Sequence, residues 1–190
     1  MKKLYTMLLL VISLCTASCS DWLDVSPSNQ VNGDKLFEIG DGYRNALNGI
    51  YLNLGTSSMY GQTMSWGFMD AIAQYYKTDN GSNFIPKTSA YYKSAKFQFE
   101  DSDVKTFISN IWSVSYNNIA NCNNLILNVS EASPSVFKEG EFEKNMIWGE
   151  ALALRAFMHF DLLRLFAPAI SKDDGKSYIP YVRSEEHTSE

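Results

Sequence analysis

Cys19 is the residue with the most chemistry open to it. Lys2 and Lys3 precede a run from Met7 to Leu14 whose only polar member is Ser13, and the small residues Thr16, Ala17 and Ser18 lead to the cysteine. A positive start, a short apolar stretch and small side chains before a cut form the pattern of an export signal. The run falls short of the roughly 20 residues needed to cross about 30 Å of hydrocarbon. Ser18–Cys19 is a sterically open junction, whereas bulky Leu14 stands directly before Cys15. Cleavage there would leave Cys19 as the amino terminus, able to take a diacylglyceryl thioether on sulfur and an acyl chain on nitrogen. Two chains, at about 0.8 kcal/mol per buried CH₂, suffice for stable anchoring. The plain alternative is an ordinary secreted protein cut elsewhere in TASCSD, since Thr16 stands where Leu is usual.

A second constellation lies between Trp66 and Phe99. Sugar rings have apolar C–H faces and hydroxyl rims, so a protein holds them with aromatic rings on the faces and Asp, Asn or Gln at the rims. Trp66, Tyr75, Tyr76, Tyr91 and Tyr92 supply rings, and Asp70, Gln74, Asp79, Asn80 and Asn83 supply polar groups. Trp66 and Asp70 stand one helical turn apart and would serve one patch. Against this, an indole on an amphipathic helix more often fills core. Each tyrosine pair points its rings in two directions, so one of each is expected to pack and the other to face solvent. The candidate ligand contacts are therefore Trp66, Asp70, Tyr75, Tyr76, Asn80, Tyr91 and Tyr92, with the loop tyrosines preferred.

Other chemistries find few residues. A hydrolase triad would depend on His159, set in an apolar run and expected to pack. One histidine and one free cysteine make no conventional zinc site. Glu100, Asp101 and Asp103 read as a loop end and a helix cap rather than paired catalytic carboxylates. Asp79-Asn80-Gly81-Ser82 fails calcium-loop spacing. Arg155 and Arg164 are expected to pair with Asp161 or across helices, because a buried charge needs a partner. Cys122 has nothing left to pair with and reads as a small buried hydrophobe. No catalytic residue, metal ligand or cofactor is assigned beyond the covalent lipid on Cys19. Loss of residues 1–18 leaves 14 basic against 21 acidic side chains, a net charge of −7. That balance, without any basic run, excludes nucleic acid as a partner.

These residues need elements to position them. Residues 1–18 read as the signal peptide and 19–32 as a polar tether. Residues 33–182 read as a helical domain, incomplete at its carboxyl end. A first helix is expected from about Asn32–Asp34 to Gly55, burying Leu36, Ile39, Tyr43, Leu47, Ile50, Tyr51 and Leu54. A second, from about Ser58 to Tyr76, would carry Met59, Thr63, Trp66, Asp70 and Ala73 on one stripe. Residues 77–102 have no helical period and form an unusually long aromatic-rich loop. A third helix is expected from Asp103 to Val129, burying Val104, Ile108, Ile111, Trp112, Ser115, Ile119, Cys122 and Ile126. A fourth should run from Glu139 to Phe166, stopped by Pro168. From Trp148 onward it is apolar around nearly its whole circumference, so it must be covered on all sides. Tyr178–Val182 could form one short extended segment. The octapeptide 183–190 (RSEEHTSE) is the in-frame translation of a common DNA-sequencing adaptor. It is set aside as a library artefact, with the native gene expected to continue past Val182 and His187 removed from consideration. The fold class is all-α, with tetratricopeptide-like helical hairpins and little or no strand.

Four strings carry a family resemblance: CSDWLDVSP, YRNALNGIYLNL, IWSVSYNNIANCNNLI and above all GEALALRAFMHFDLLRLFAPA. Together they resemble the SusD/RagB family of nutrient-uptake surface lipoproteins, from Cys19 to about Val182. The fourth string matches at Glu150, Ala151, Leu154, Arg155, Ala156, Phe157, Phe160, Asp161, Leu162, Arg164, Leu165 and Phe166. His159 stands where the family typically has an aromatic. The resemblance implies a helical protein held by lipid (palmitate-type acyl chains on Cys19) in the outer membrane and facing the exterior. It implies capture of oligosaccharides, in some members peptides, as the lid of a TonB-dependent (SusC-like) transporter, without chemistry on the ligand. It also implies that the family's carboxy-terminal part is missing here. The rival readings are a peptide-capturing relative, a lipoprotein glycosidase whose catalytic half lies beyond Val182, and a helical scaffold binding only protein.

Overall fold

The computed structural model describes residues 33–76 and 85–184. The chain divides between Leu36 and Phe37 into two units. Of the first, the described part is helix α1 (Gly33–Leu36). The second holds α2 (Gly40–Leu54), α3 (Phe68–Ile72), α4 (Ala90–Ala95), α5 (Ser102–Glu131) and α6 (Glu141–Phe166), with 3₁₀ turns at Pro134–Val136 and Ile170–Lys172. No strand occurs among the described residues, so the protein is all-α as expected.

The frame is the α5–α6 hairpin, with α2 laid against both helices. Tyr43, Leu47, Ile50 and Leu54 recur every three or four residues along α2 and meet Ile111, Ile119, Cys122, Leu125 and Val129 of α5 and Ile147, Ala151, Met158 and Leu162 of α6 in one core. The polar groups inside it are paired across helices. Glu143, 4% exposed, takes the Arg44 guanidinium at 2.7 Å, which holds its carboxyl below the usual range. Asn53 Nδ2 donates to buried Asn118 Oδ1 at 3.1 Å; Tyr51, expected on the buried face, is instead 45% exposed, and its hydroxyl donates to Glu150 Oε2 at 2.8 Å at the surface. Cys122 is fully buried and burial pushes its thiol up to about 12, which makes it the inert hydrophobe the sequence suggests.

The two long helices begin and end close to expectation, because periodic apolar stripes and caps agree. Asp101, two residues before the expected cap, accepts from the Asp103 amide at 3.0 Å and starts α5. Lys93 bridges both carboxylates, at 2.8 and 3.0 Å. On α5, Ile108, Trp112 and Ile126 are partly buried at the edge of the core, not inside it.

Three expected element bounds fail. The first helix is not continuous. Residues 37–39 break it, Ile39 is extended and 61% exposed, and α2 starts at Gly40. Gly40 packs so close to the 136–137 backbone that a Cβ would meet the Val136 carbonyl oxygen at 2.7 Å, which fixes the entry of the helix there. The second helix reduces to α3. Residues 55–67 are consecutive tight turns in which Thr56, Thr63 and Ser65 hydroxyls donate to the carbonyls of Asn53, Ser57 and Tyr60 and compete with the helical ladder. Gly61 there presses on the 55–56 backbone with no room for a side chain. Third, the long loop contains α4, capped by Ser89, whose Oγ accepts from the Tyr92 amide at 3.1 Å.

After α6 the chain turns back along the hairpin. Residues 178–182 form no strand. Side chains hold them instead: the Tyr116 hydroxyl donates to the Pro180 carbonyl at 2.9 Å, and His159 Nε2 accepts from the Val182 amide at 3.1 Å. The sides of α6 that do not meet α2 or α5 stay open, with Phe157 47%, Phe160 56% and Leu163 48% exposed, so this helix is not covered all round.

Candidate functional site

The turn 66–76 and α4 come together over the amino-terminal end of α5, and most of the sequence candidates lie there. Trp66 is 57% exposed and Tyr75 78%. The expectation that Trp66 fills core is thus overturned, because the helix that would have turned it inward does not form. Trp66 and Asp70 do not share a helix face either: Trp66 precedes α3, while half-buried Asp70 lies within it and its carbonyl receives the Tyr75 amide at 3.0 Å. The Tyr76 hydroxyl donates to the Trp66 carbonyl and ties the two ends of the segment together. Of this pair Tyr75 stands in solvent, while Tyr76 is half-buried.

The second pair does not split in that way. Both Tyr91 and Tyr92 are half-buried. Tyr91 stacks on Phe107 of α5 at 5.3 Å between centroids, and its hydroxyl accepts from Gln62 Nε2 at 2.8 Å. Tyr92 carries the Lys96 ammonium 5.8 Å above its ring. Asn80, with Asp79 and Asn83, falls outside the described residues, as do Cys19 and the lipid expected on it.

Sequence reasoning named Gln74 only as a polar group for a sugar rim, and it missed Phe97 and Phe99. Gln74 (φ 62°) and Phe97 (φ 55°) adopt the left-handed conformation that side chains other than Asn and Asp seldom take. Gln74 Nε2 reaches the Ala95 carbonyl at 2.7 Å, so one amide clamps the reversed turn to the end of α4. Phe97 and Phe99, 54% and 43% exposed, meet edge to face at 6.0 Å. Nothing in the residue types announces these conformations, because Gln and Phe are ordinary helix or strand residues. Beside Phe99 a hollow of about 210 Å³ opens between Phe68, Ile72, Ile111 and Leu165.

A larger cleft, about 580 Å³, lies between the second half of α6 and residues 167–181. Phe160, Leu163, Tyr178 and Tyr181 line it, with Asp173 as the lining's single carboxylate. His159, at its floor, is 3% exposed and already engaged by the Arg155 carbonyl at 2.9 Å and the Val182 amide, and burial pushes its pKa down. It is the packed residue the sequence suggests. Asp161 accepts from the Tyr60 hydroxyl at 2.6 Å and pairs with Arg164 at 3.3 Å, while Arg155 donates to Asn123 Oδ1 at 2.8 Å. Among the described residues no cluster of three or more His, Cys, Asp or Glu could hold a metal ion, and no helix is long and apolar enough to cross a membrane.

No curated protein and no solved structure matches the chain. A family model does: SusD-like, described as "Starch-binding associating with outer membrane", over residues 21–189. The match takes in nearly the whole sequence and the entire helical frame, so this chain belongs to the SusD/RagB family of glycan-binding proteins associated with the outer membrane.

Proposed function

We propose that this protein captures oligosaccharide at the cell's outer face, held there by lipid on Cys19, and passes it unaltered to a TonB-dependent transporter of the SusC type. The observation that carries the reading is the pair of solvent-facing rings, Trp66 and Tyr75, fixed by the Tyr76–Trp66 and Gln74–Ala95 hydrogen bonds. Solvent-facing rings offer surface for sugar C–H groups, and half-buried Asp70 stands close by in sequence to meet hydroxyls. A tethered binder raises ligand concentration at the pore mouth without any chemical step.

Titration calorimetry of the full-length protein against a glycan panel and a peptide panel tests this. Saturable binding of a glycan is expected, weakened about tenfold, or about 1.4 kcal/mol, by Trp66→Ala. Binding of peptides alone would support the second reading, which the apolar hollow beside Phe99 favours because it suits an aliphatic side chain. Shortened products from labelled polysaccharide would overturn both.

A further inference from the structure

The aromatic patch does not account for the solvent face of α5. Residues 106–130 contain no Asp, Glu, Lys, Arg or His, 25 positions in a chain that is 19% charged, where about five would be expected. Charged side chains ordinarily keep the outer face of a helix in water. Here that face carries amides. Asn110, Asn117, Asn121 and Asn124 are exposed and Asn128 half-buried. At 3.6 residues per turn the five fall within about 60° of arc over about 27 Å. Asparagine is among the poorer helix formers. The bonds within the row, from Asn121 Nδ2 to Asn117 Oδ1 at 3.3 Å and from Asn128 Nδ2 to Asn124 Oδ1 at 2.6 Å, are the modest kind made between neighbouring turns. Helix stability does not select this row.

The row starts where α4 packs on α5. Phe107, one turn before Asn110, supports the Tyr91 ring, and Asp103 pairs with Lys93 of α4. Each amide presents two donors and one acceptor without charge, the complement of hydroxyls that both donate and accept. We propose that the asparagine row of α5 is a second contact track for a neutral polysaccharide, gripping sugar residues beyond those on the Trp66–Tyr75 patch. This rests on the carbohydrate reading above. A track without cations has nothing to offset the desolvation of a uronate, and the net charge of −5 repels polyanions. Each hydroxyl contact exchanges with water and adds little alone; the track works by multiplying contacts along one chain.

The test uses the full-length protein and the triple variant Asn117→Ala/Asn121→Ala/Asn124→Ala, whose alanines favour helix, with circular dichroism to verify the fold. Affinity electrophoresis in amylopectin reads the track, and calorimetry with maltotriose reads the patch. The triple variant is expected to lose about fivefold or more of its affinity for amylopectin while its maltotriose affinity stays within twofold or so of the parent. Trp66→Ala should weaken both. Amylopectin retardation of the triple variant equal to the parent's would overturn the track and leave the carbohydrate reading standing. Retardation by polygalacturonate as strong as by amylopectin would overturn the selection for neutral chains. Failure of the parent to bind amylopectin, maltotriose and every other glycan of the panel would remove the carbohydrate reading and the track together.

Discussion

His159 shows how far one side chain's surroundings dictate its state. An amide can only donate and a carbonyl can only accept, so the Val182 N–H and the Arg155 oxygen require Nε2 bare and Nδ1 protonated. A second proton would turn the bond to Val182 into a clash of two donors. Burial also pushes the pKa below its ordinary 6.5, so the unfolded chain takes up the proton more readily than the folded one. The contribution of His159 is therefore complete above about pH 6.5 and is lost as pH falls below that, through the lower pKa of the folded state. The lowered carboxylates, such as Glu143 and Asp101, give way only at more acid pH. Thermal unfolding between about pH 8 and about pH 5 should show the parent losing more stability than His159→Gln, which keeps an acceptor but does not titrate. Equal slopes would refute the assignment. His159 as a packed residue was legible in sequence from the apolar run around it; the amide that fixes its tautomer, 23 residues away, was not.

At the level of elements, the long helices could be read and the turns could not. For α5 and α6, apolar spacing, acidic caps and a terminal proline all point to the same boundaries, and the structure moves them by about two residues or fewer. Between Gly55 and Gly67 the same spacing misleads. Met59 and Thr63 are buried as the stripe requires, yet hydroxyls and a crowded Gly61 divert the backbone, and Trp66 swings outward. The candidate site suffered most because it is built on this diverted stretch. Gly40 supplies a test of how tightly such contacts set the frame. Gly40→Ala should cost about 1–3 kcal/mol in denaturant unfolding, since the obstructing atoms are backbone and cannot step aside. Gly49→Ala, in the exposed interior of the same helix with open space around it, should instead stabilise by about 0.5–1 kcal/mol. A loss at both positions would mean that α2 is less regular than described.

Across the whole molecule, the family and the helical class were legible from GEALALRAFMHFDLLRLFAPA, a string whose buried members, Ala151, Met158, His159, Asp161 and Leu162, form one side of the core. The positions of Phe157, Phe160 and Leu163 in solvent were not, because apolar content says what wants cover and not what receives it. If lipid on Cys19 holds the protein at the membrane, Cys19→Ala should shift it from the membrane pellet to the soluble or periplasmic fraction; unchanged fractionation would contradict the anchor. The left-handed turns at Gln74 and Phe97 carry one further consequence. Their unfavourable dihedrals are settled when the chain folds, so Trp66 and Tyr75 stand in position before any ligand arrives. If sugar docks on these rings as proposed, its association forfeits little loop entropy, and the on-rate should follow diffusive encounter rather than a slow closure.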